Sequence, residues 1–272
     1  MAPPSALARW DEIVSRLAGA RPVLFLDYDG TLAPLAPSPD LATLPGATRE
    51  ALARAAARFP VAILSGRDRA DVAARVGLPD LVYAGCHGFD IAGPDGTDSR
   101  LRREVGSEIP AEIAAAAEQL TAALGAIPGV LIEPKRFALS VHYRLAPPEQ
   151  VPEIERAVDE TLAAHPALRK GLGKKLFELR PKLSWHKGKA LLWILCRLGG
   201  CRAPGEPERP EVPIYIGDDV TDEDAFRAVA ERGIGIIVFH EADPPRETAA
   251  AYSLRDPTEV WEFLARLSEE AV

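Results

Sequence analysis

Two aspartates one residue apart, Asp27 and Asp29, stand directly after the apolar run Val23-Leu24-Phe25-Leu26 and directly before Gly30. Such a run reads as a buried strand. Glycine permits the sharp turn that would leave both carboxylates at the strand's C-terminal end, the edge where ligands bind in an open α/β sheet. Carboxylates so placed can both hold a hard cation such as Mg²⁺, or one can attack an electrophile while the other moves a proton. Aspartate and glycine are also ordinary turn residues, so this segment alone leaves each reading open.

Three further segments narrow the choice. Ser65-Gly66-Arg67 follows the apolar run Val61–Leu64, Lys187-Gly188-Lys189 opens a helical pattern, and Asp218-Asp219 follows Ile214–Gly217. Strand ends on one edge of a parallel sheet converge in space however far apart they lie in sequence. Together the four segments make a phosphate site. One carboxylate is the nucleophile, a second moves the proton, a hydroxyl and a lysine hold phosphate oxygens, and a further carboxylate serves a metal. Each type has a reason to be there. A carboxylate approaching a dianionic phosphate meets like-charge repulsion, which a divalent cation and a lysine remove. The departing ester oxygen needs a proton, which a second carboxyl within reach supplies.

The elements that must position these residues follow from periodicity. Helical spacing over 5–19 is followed by a strand at 23–27, a proline-rich loop at 33–45, a helix at 48–59, a strand at 61–64, a helix over about 68–76 and a strand at 81–84. That β-α-β-α-β rhythm with short connections implies a parallel sheet covered on both faces. The pattern then changes. A turn at 93–96 and a helix at 109–127 precede strands at 130–133 and 138–144, a helix at 149–164 and a strand at 175–180. Gly171–Lys175, rich in glycine and lysine but without the pattern of a P-loop, reads as a turn. The first pattern resumes with a helix at 187–198, strands at 213–217 and 234–239, and a closing helix at 260–267. The fold class is α/β, a Rossmann-like doubly wound parallel sheet core with an inserted α+β cap domain. Residues 1–99 and 183–272 make the core and 100–182 the cap, with crossings near 98–102 and 180–184 expected to act as hinges.

Composition sets the outer limits. A chain of 272 residues with 47% hydrophobic and 26% charged residues is an ordinary globular mixture. A net charge of −8 argues against general nucleic-acid binding and a polybasic membrane anchor. Cys86, Cys196 and Cys201 form no CxxC pair, which points to reduced thiols and a cytoplasmic setting. The first residues lack the basic and apolar regions of a signal peptide, and no apolar run is long enough to span a membrane. His165 and His240 read as surface or loop residues.

Asp27-x-Asp29-Gly-Thr-Leu, Ser65-Gly-Arg, Lys187-Gly-Lys and Gly217-Asp218-Asp219 resemble the four motifs of the haloacid dehalogenase-like hydrolase superfamily. Within it, Ile132–Lys135, Ser140–Arg144, Phe177–Pro181 and Ile216–Phe226 are similar to the trehalose-6-phosphate phosphatases, and the similarity runs over nearly the whole chain. The resemblance implies that Asp27 forms an aspartyl phosphate and that Asp29 is the general acid/base. It implies Mg²⁺ as cofactor, held by Asp27, Asp29 (through its carbonyl) and Asp218, with Asp219 and Asp222 supporting from behind. Ser65 and Lys187 would hold phosphate. Glu133, Lys135 and Glu178 in the cap, and Arg67 and His87 in the core, would contact the sugar. Cys86 and His186 depart from the family pattern, where Asn or Glu and Asp or Asn are expected.

The implied activity is hydrolysis of the small-molecule substrate trehalose 6-phosphate, with no nucleic acid and no membrane involved; association with a trehalose-phosphate synthase is not determined by the sequence. Two alternatives keep the same core: a phosphatase for sucrose phosphate or glucosylglycerol phosphate, or a non-catalytic sugar-phosphate sensor. Retention of Asp27, Asp29, Ser65, Lys187 and Asp218 speaks against the sensor, and the large insertion speaks against a receiver-like phosphorylation switch.

Overall fold

The computed structural model describes residues 3–94, 101–173, 175–199, 210–240 and 246–270. The hinge positions 98–100, half of the turn expected at 93–96, and Cys201 lie outside the described residues. The chain divides into two compact units, Met1–Arg103 with His186–Val272, and Glu104–Trp185.

The first unit holds, in chain order, α1 (Trp10–Leu17), β1 (Arg21–Leu26), α2 (Gly46–Ala56), β2 (Val61–Leu64), α3 (Arg69–Val76), β3 (Val82–Gly85) and β4 (Asp90–Ala92). The two-residue β5 (Arg103–Glu104) marks the crossing to the second unit. The second unit contributes α4 (Ile109–Leu124), β6 (Leu131–Pro134), β7 (Leu139–His142), α5 (Val151–Ala164), β8 (Leu168–Gly173) and β9 (Leu176–Pro181). The chain returns to the first unit through α6 (Lys187–Gly199), β10 (Glu211–Gly217), α7 (Glu223–Val229), β11 (Ile234–Val238), β12 (Tyr252–Leu254) and α8 (Pro257–Glu270).

The large sheet has the order β12-β11-β10-β1-β2-β3-β4-β5. Pairing is parallel from β12 through to β3, and β4 turns back antiparallel on β3. Strands buried on both faces must be apolar throughout, and β1 after Arg21, β2, β3 and β11 are buried along their whole length. Helices α2 and α8 add Leu52, Ala55, Phe263 and Leu264 to one core layer. Leu26 pairs with both Ile63 and Ile216, and Leu64 with Ala84. The register therefore stops β1, β2, β3 and β10 at one edge, with Asp27, Ser65, Cys86 and Asp218 as the next residues. Near the chain's two ends, Trp10 Nε1 donates to Glu270 at 2.6 Å and the Tyr252 hydroxyl to Glu12 at 2.6 Å.

The second unit is a four-stranded antiparallel sheet, β6-β7-β9-β8. Leu139, Val141, Phe177 and Leu179 are buried, as are Ile113, Ala116 and Leu120 of α4 and Ile154 and Val158 of α5. On the opposite face one cross-strand row runs Glu133, Ser140, Glu178, Gly171.

Gly171–Gly173, expected as a turn, belongs instead to β8, which pairs with β9 over six residues. Buried Leu168 and that continuous ladder outweigh the weak strand propensity of glycine. The turn itself falls at Lys175, with φ +64°. The edge strand β12 had no counterpart in the periodicity, being only three residues long.

Candidate active site

The end of β1 fixes Asp27, whose backbone N–H donates to Ile216 O at 2.9 Å. Lys187, the first residue of α6, donates its ammonium to Asp27 Oδ1 at 2.8 Å and to Asp222 Oδ1 at 2.6 Å. The Tyr215 hydroxyl also donates to Asp222 Oδ1, at 2.6 Å, and the Asp219 N–H to Asp222 Oδ2 at 2.8 Å. Asp219 itself accepts from Val220 N–H at 2.7 Å, which caps the turn ahead of α7. Asp27, Lys187, Asp218 and Asp222 are all buried.

Asp218 differs from Asp222. Its carbonyl accepts from Arg246 Nη2 at 2.6 Å, and His240 Nε2 lies 3.6 Å from its Oδ2. Its Oδ1 is buried without a hydrogen-bond partner among the described residues. One oxygen from each of Asp27, Asp218 and Asp222 lies within 4.8 Å of the others. Both oxygens of Asp222 are taken by Lys187, Tyr215 and Asp219, whereas Asp218 keeps an uncommitted one. Hard oxygen donors with an orphaned buried oxygen among them fit a hard divalent cation.

Electrostatics agree with that fit. Burial, with Asp222 and Asp218 adding repulsion, raises the Asp27 carboxyl well above its ordinary value, though Lys187 pulls it down. Burial pushes Asp218 up to about 6, against the pull of His240 and with the push of Asp222 and Asp219. Burial would lower Lys187, but Asp222 and Asp27 outweigh it and hold the ammonium firmly charged. One lysine faces three carboxylates, so the cluster lacks positive charge.

Gly30 lets the loop after β1 close on this cluster. Its φ is +82°, and a β-carbon there would lie 2.2 Å from Asp218 Oδ2. Gly30→Ala is expected to cost about 1–2 kcal/mol from the backbone alone and to push Asp218 aside. Thermal melting and Mg²⁺ titration of the variant should show both losses.

The second aspartate sits apart from the buried cluster. Asp29 is about a third exposed, and its two oxygens accept from Arg67 Nη2 and Nε, each at 2.7 Å. Ser65 is buried at the end of β2, and its Oγ accepts from Arg67 N–H at 3.1 Å. Its carbonyl accepts from His87 N–H at 2.8 Å. Cys86 and His87 both have positive φ, +49° and +58°. That turn brings the His87 ring so near Gly66 that a β-carbon there would meet it at 2.9 Å. Cys86 Sγ donates to Asp68 at 3.0 Å, and His186 Nδ1 lies 3.6 Å from Asp224.

In the second unit Glu133 Oε2 lies 2.8 Å from His142 Nε2 and 3.9 Å from Lys135 Nζ. Glu178 is buried and ion-paired with Arg180. Ser140, between the two glutamates in the row, has a buried hydroxyl with no hydrogen-bond partner among the described residues.

Two histidines lie in loops, one of the two settings expected of them, and both have partners there. His240 has 18% side-chain exposure and sits beside Asp218, and His165, with 13%, pairs with Glu112 at 2.8 Å. The place of His240 just beyond the end of β11, itself next to β10, is the signal that points to it. Tyr215 and Asp71 carried no comparable mark.

A family model described as trehalose-phosphatase matches residues 25–258. The trehalose-phosphate phosphatase of Mycobacterium tuberculosis (strain ATCC 25618 / H37Rv) is 46% identical over 265 residues. The match takes in 97% of this chain but spans 65% of that relative's length. Among solved structures, the C-terminal domain of Candida albicans trehalose-6-phosphate phosphatase is similar with a TM-score of 0.77 and 25% identity, covering 99% of each chain. A phosphatase of the haloalkanoate superfamily from Bacteroides thetaiotaomicron shares the fold, with a TM-score of 0.57 at 18% identity over 92% of this chain and 95% of that one.

Proposed function

The chain belongs to the trehalose-phosphatase family, and from that premise we propose that it is a Mg²⁺-dependent phosphatase that hydrolyses trehalose 6-phosphate through an aspartyl phosphate on Asp27. The observation that carries this reading is the buried meeting of Asp27, Asp218 and Lys187 at one sheet edge. Asp27 and Asp218 would hold the cation, together with the Asp29 carbonyl. When bound, Mg²⁺ would offset the repulsion between the attacking carboxylate and the phosphate dianion.

The chain's own residues do the rest. An Asp27 oxygen bonds to phosphorus as the phosphorus–ester oxygen bond breaks, and the bond's electron pair leaves with the sugar oxygen. Asp29 gives that oxygen its proton. Asp29 then takes a proton from water as the water oxygen attacks phosphorus and the Asp27 carboxylate departs. Lys187 and Ser65 hold phosphate oxygens. Lys187 also opposes the burial that raises the Asp27 carboxyl, and Asp222, with Tyr215 and Asp219 behind it, keeps Lys187 in place. Glu133, Lys135 and Glu178 are the sugar-recognising residues, within a cap formed by the second unit, and His87 is a contact from the core. Three cysteines without a CxxC pair suit a cytosolic setting, and no helix among the described residues is long and apolar enough to cross a membrane.

Phosphate release from a panel of sugar phosphates tests the reading. Trehalose 6-phosphate should be the best substrate with Mg²⁺ and inert with EDTA. Equal turnover of sucrose phosphate or glucosylglycerol phosphate would reject the substrate assignment.

The pH dependence of metal binding follows from the same cluster. Asp27 and Asp218 are raised in the fold, so the metal-free protein is favoured at low pH and loses that advantage as pH rises through about 6 for Asp218. Mg²⁺ competes with those protons. Its affinity should weaken by roughly tenfold per pH unit below that point for one displaced proton. The rise in melting temperature on adding Mg²⁺ should accordingly be larger at pH 8 than at pH 5.

A further inference from the structure

Arg67 follows Ser65-Gly66 in a segment that suggests a substrate contact, yet its side chain is only 8% exposed. Each of its guanidinium nitrogens donates to a carboxylate. Nε and Nη2 take the two oxygens of Asp29, and Nη1 donates to Asp71 Oδ2 at 2.9 Å. Asp71 accepts in turn from Arg75 Nε, one helical turn along α3, at 2.8 and 3.0 Å. Arg75 Nη1 donates to Ala42 O at 3.0 Å, and that carbonyl also accepts the Tyr28 hydroxyl at 3.3 Å. The Arg67 guanidinium carbon lies 5.4 Å from the centre of the Tyr28 ring.

We infer that Arg67 is a positioning residue for the Asp29 carboxylate, the head of an alternating chain Asp29–Arg67–Asp71–Arg75 that fixes the plane of the proton-moving group. The inference rests on the phosphatase reading above. A partly exposed aspartate has several rotamers open to it. A planar two-point fork restrains both its position and its plane, as a lysine's point charge does not. The fork leaves proton transfer open, because each carboxylate oxygen has a second lone pair. Asp29 must give a proton to the departing sugar oxygen and later take one from water. Two differently placed oxygens are met by one carboxylate, so a fixed plane matters in both halves of the reaction. Asp71 and Arg75 anchor the fork to a helix rather than to the mobile end of a side chain.

The test compares the parent chain with Arg67→Lys and Asp71→Ala, all with Mg²⁺. Steady-state rates are measured on trehalose 6-phosphate, and first-turnover rates on p-nitrophenyl phosphate, whose leaving group departs without a proton. Arg67→Lys is expected to lower kcat on the sugar phosphate by roughly 10²-fold with little change in KM, the scale of a misplaced catalytic group. Asp71→Ala should show the same pattern more weakly, and it covers the case in which Arg67→Lys folds poorly. In both variants the nitrophenolate burst should hold its rate far better than the sugar-phosphate turnover does. A rise in KM at constant kcat would make Arg67 a substrate contact. A lower melting temperature with unchanged kcat per folded molecule would make it a brace of the fold. An equal loss on both substrates would remove the link to leaving-group protonation. Each of these outcomes overturns the inference while the phosphatase reading stands; an inactive parent chain defeats the reading itself, and the inference with it.

Discussion

Asp27→Asn is expected to lose phosphate release by about 10⁴-fold or more, as nucleophile removal does in other covalent mechanisms, in a chain that melts no lower than the parent in EDTA. The first half follows from the amide's lack of nucleophilicity. The second follows from the cluster. Ionised Asp27 is buried beside Asp222 and Asp218, and burial with their repulsion raises its carboxyl even though Lys187 opposes them. A neutral amide of the same shape removes that repulsion, while Lys187 keeps its bond to Asp222. Residual activity above a thousandth of the parent's, checked by phosphate release on trehalose 6-phosphate, would overturn the nucleophile assignment. A large drop in melting temperature would overturn the electrostatic account.

Lys187→Met should do the reverse: it unfolds the chain more readily as well as silencing it. Lys187 is the only cation donating to Asp27 and Asp222 among the described residues. Removing one partner of a buried ion pair costs about 3–5 kcal/mol, because the charge left behind is neither solvated nor paired. The loss should be greatest at pH 8 and smaller at pH 5, where the stranded Asp27 carboxyl, already raised by burial, takes up a proton. Denaturant titrations at the two pH values in EDTA would show it, and a loss independent of pH would contradict it.

The convergence of the strand-end residues was legible because each segment follows an apolar run. Val23–Leu26, Val61–Leu64 and Ile214–Ile216 mark buried strands, and parallel pairing puts their ends at one edge. What lies between those residues was not legible. Tyr215 sits inside an apolar run and reads as core, but its hydroxyl reaches Asp222 around a turn. Arg67 is expected as a sugar contact, whereas it forks onto Asp29, which belongs to the loop after β1 and becomes a neighbour only when β2 pairs with β1. The glycines that disguise β8 are accommodated because β9 supplies a complete ladder beside them, a support that no local pattern announces.

The interleaving of the two units bears on how the protein comes into being. Strand β1 lies between β2 and β10, and β10 is translated only after the whole of Glu104–Trp185 has been made. That middle stretch is contiguous and holds every strand of its own sheet, so it can complete its sheet while the ribosome is still extending the chain. The first unit cannot. Asp27, Asp29 and Ser65 emerge before the middle stretch and wait for Lys187 and Asp218, which follow it. A nascent chain that has not yet made α6 and β10 therefore carries Asp27, Asp29 and Ser65 alone, and the buried cluster assembles only once Lys187 and Asp218 have followed.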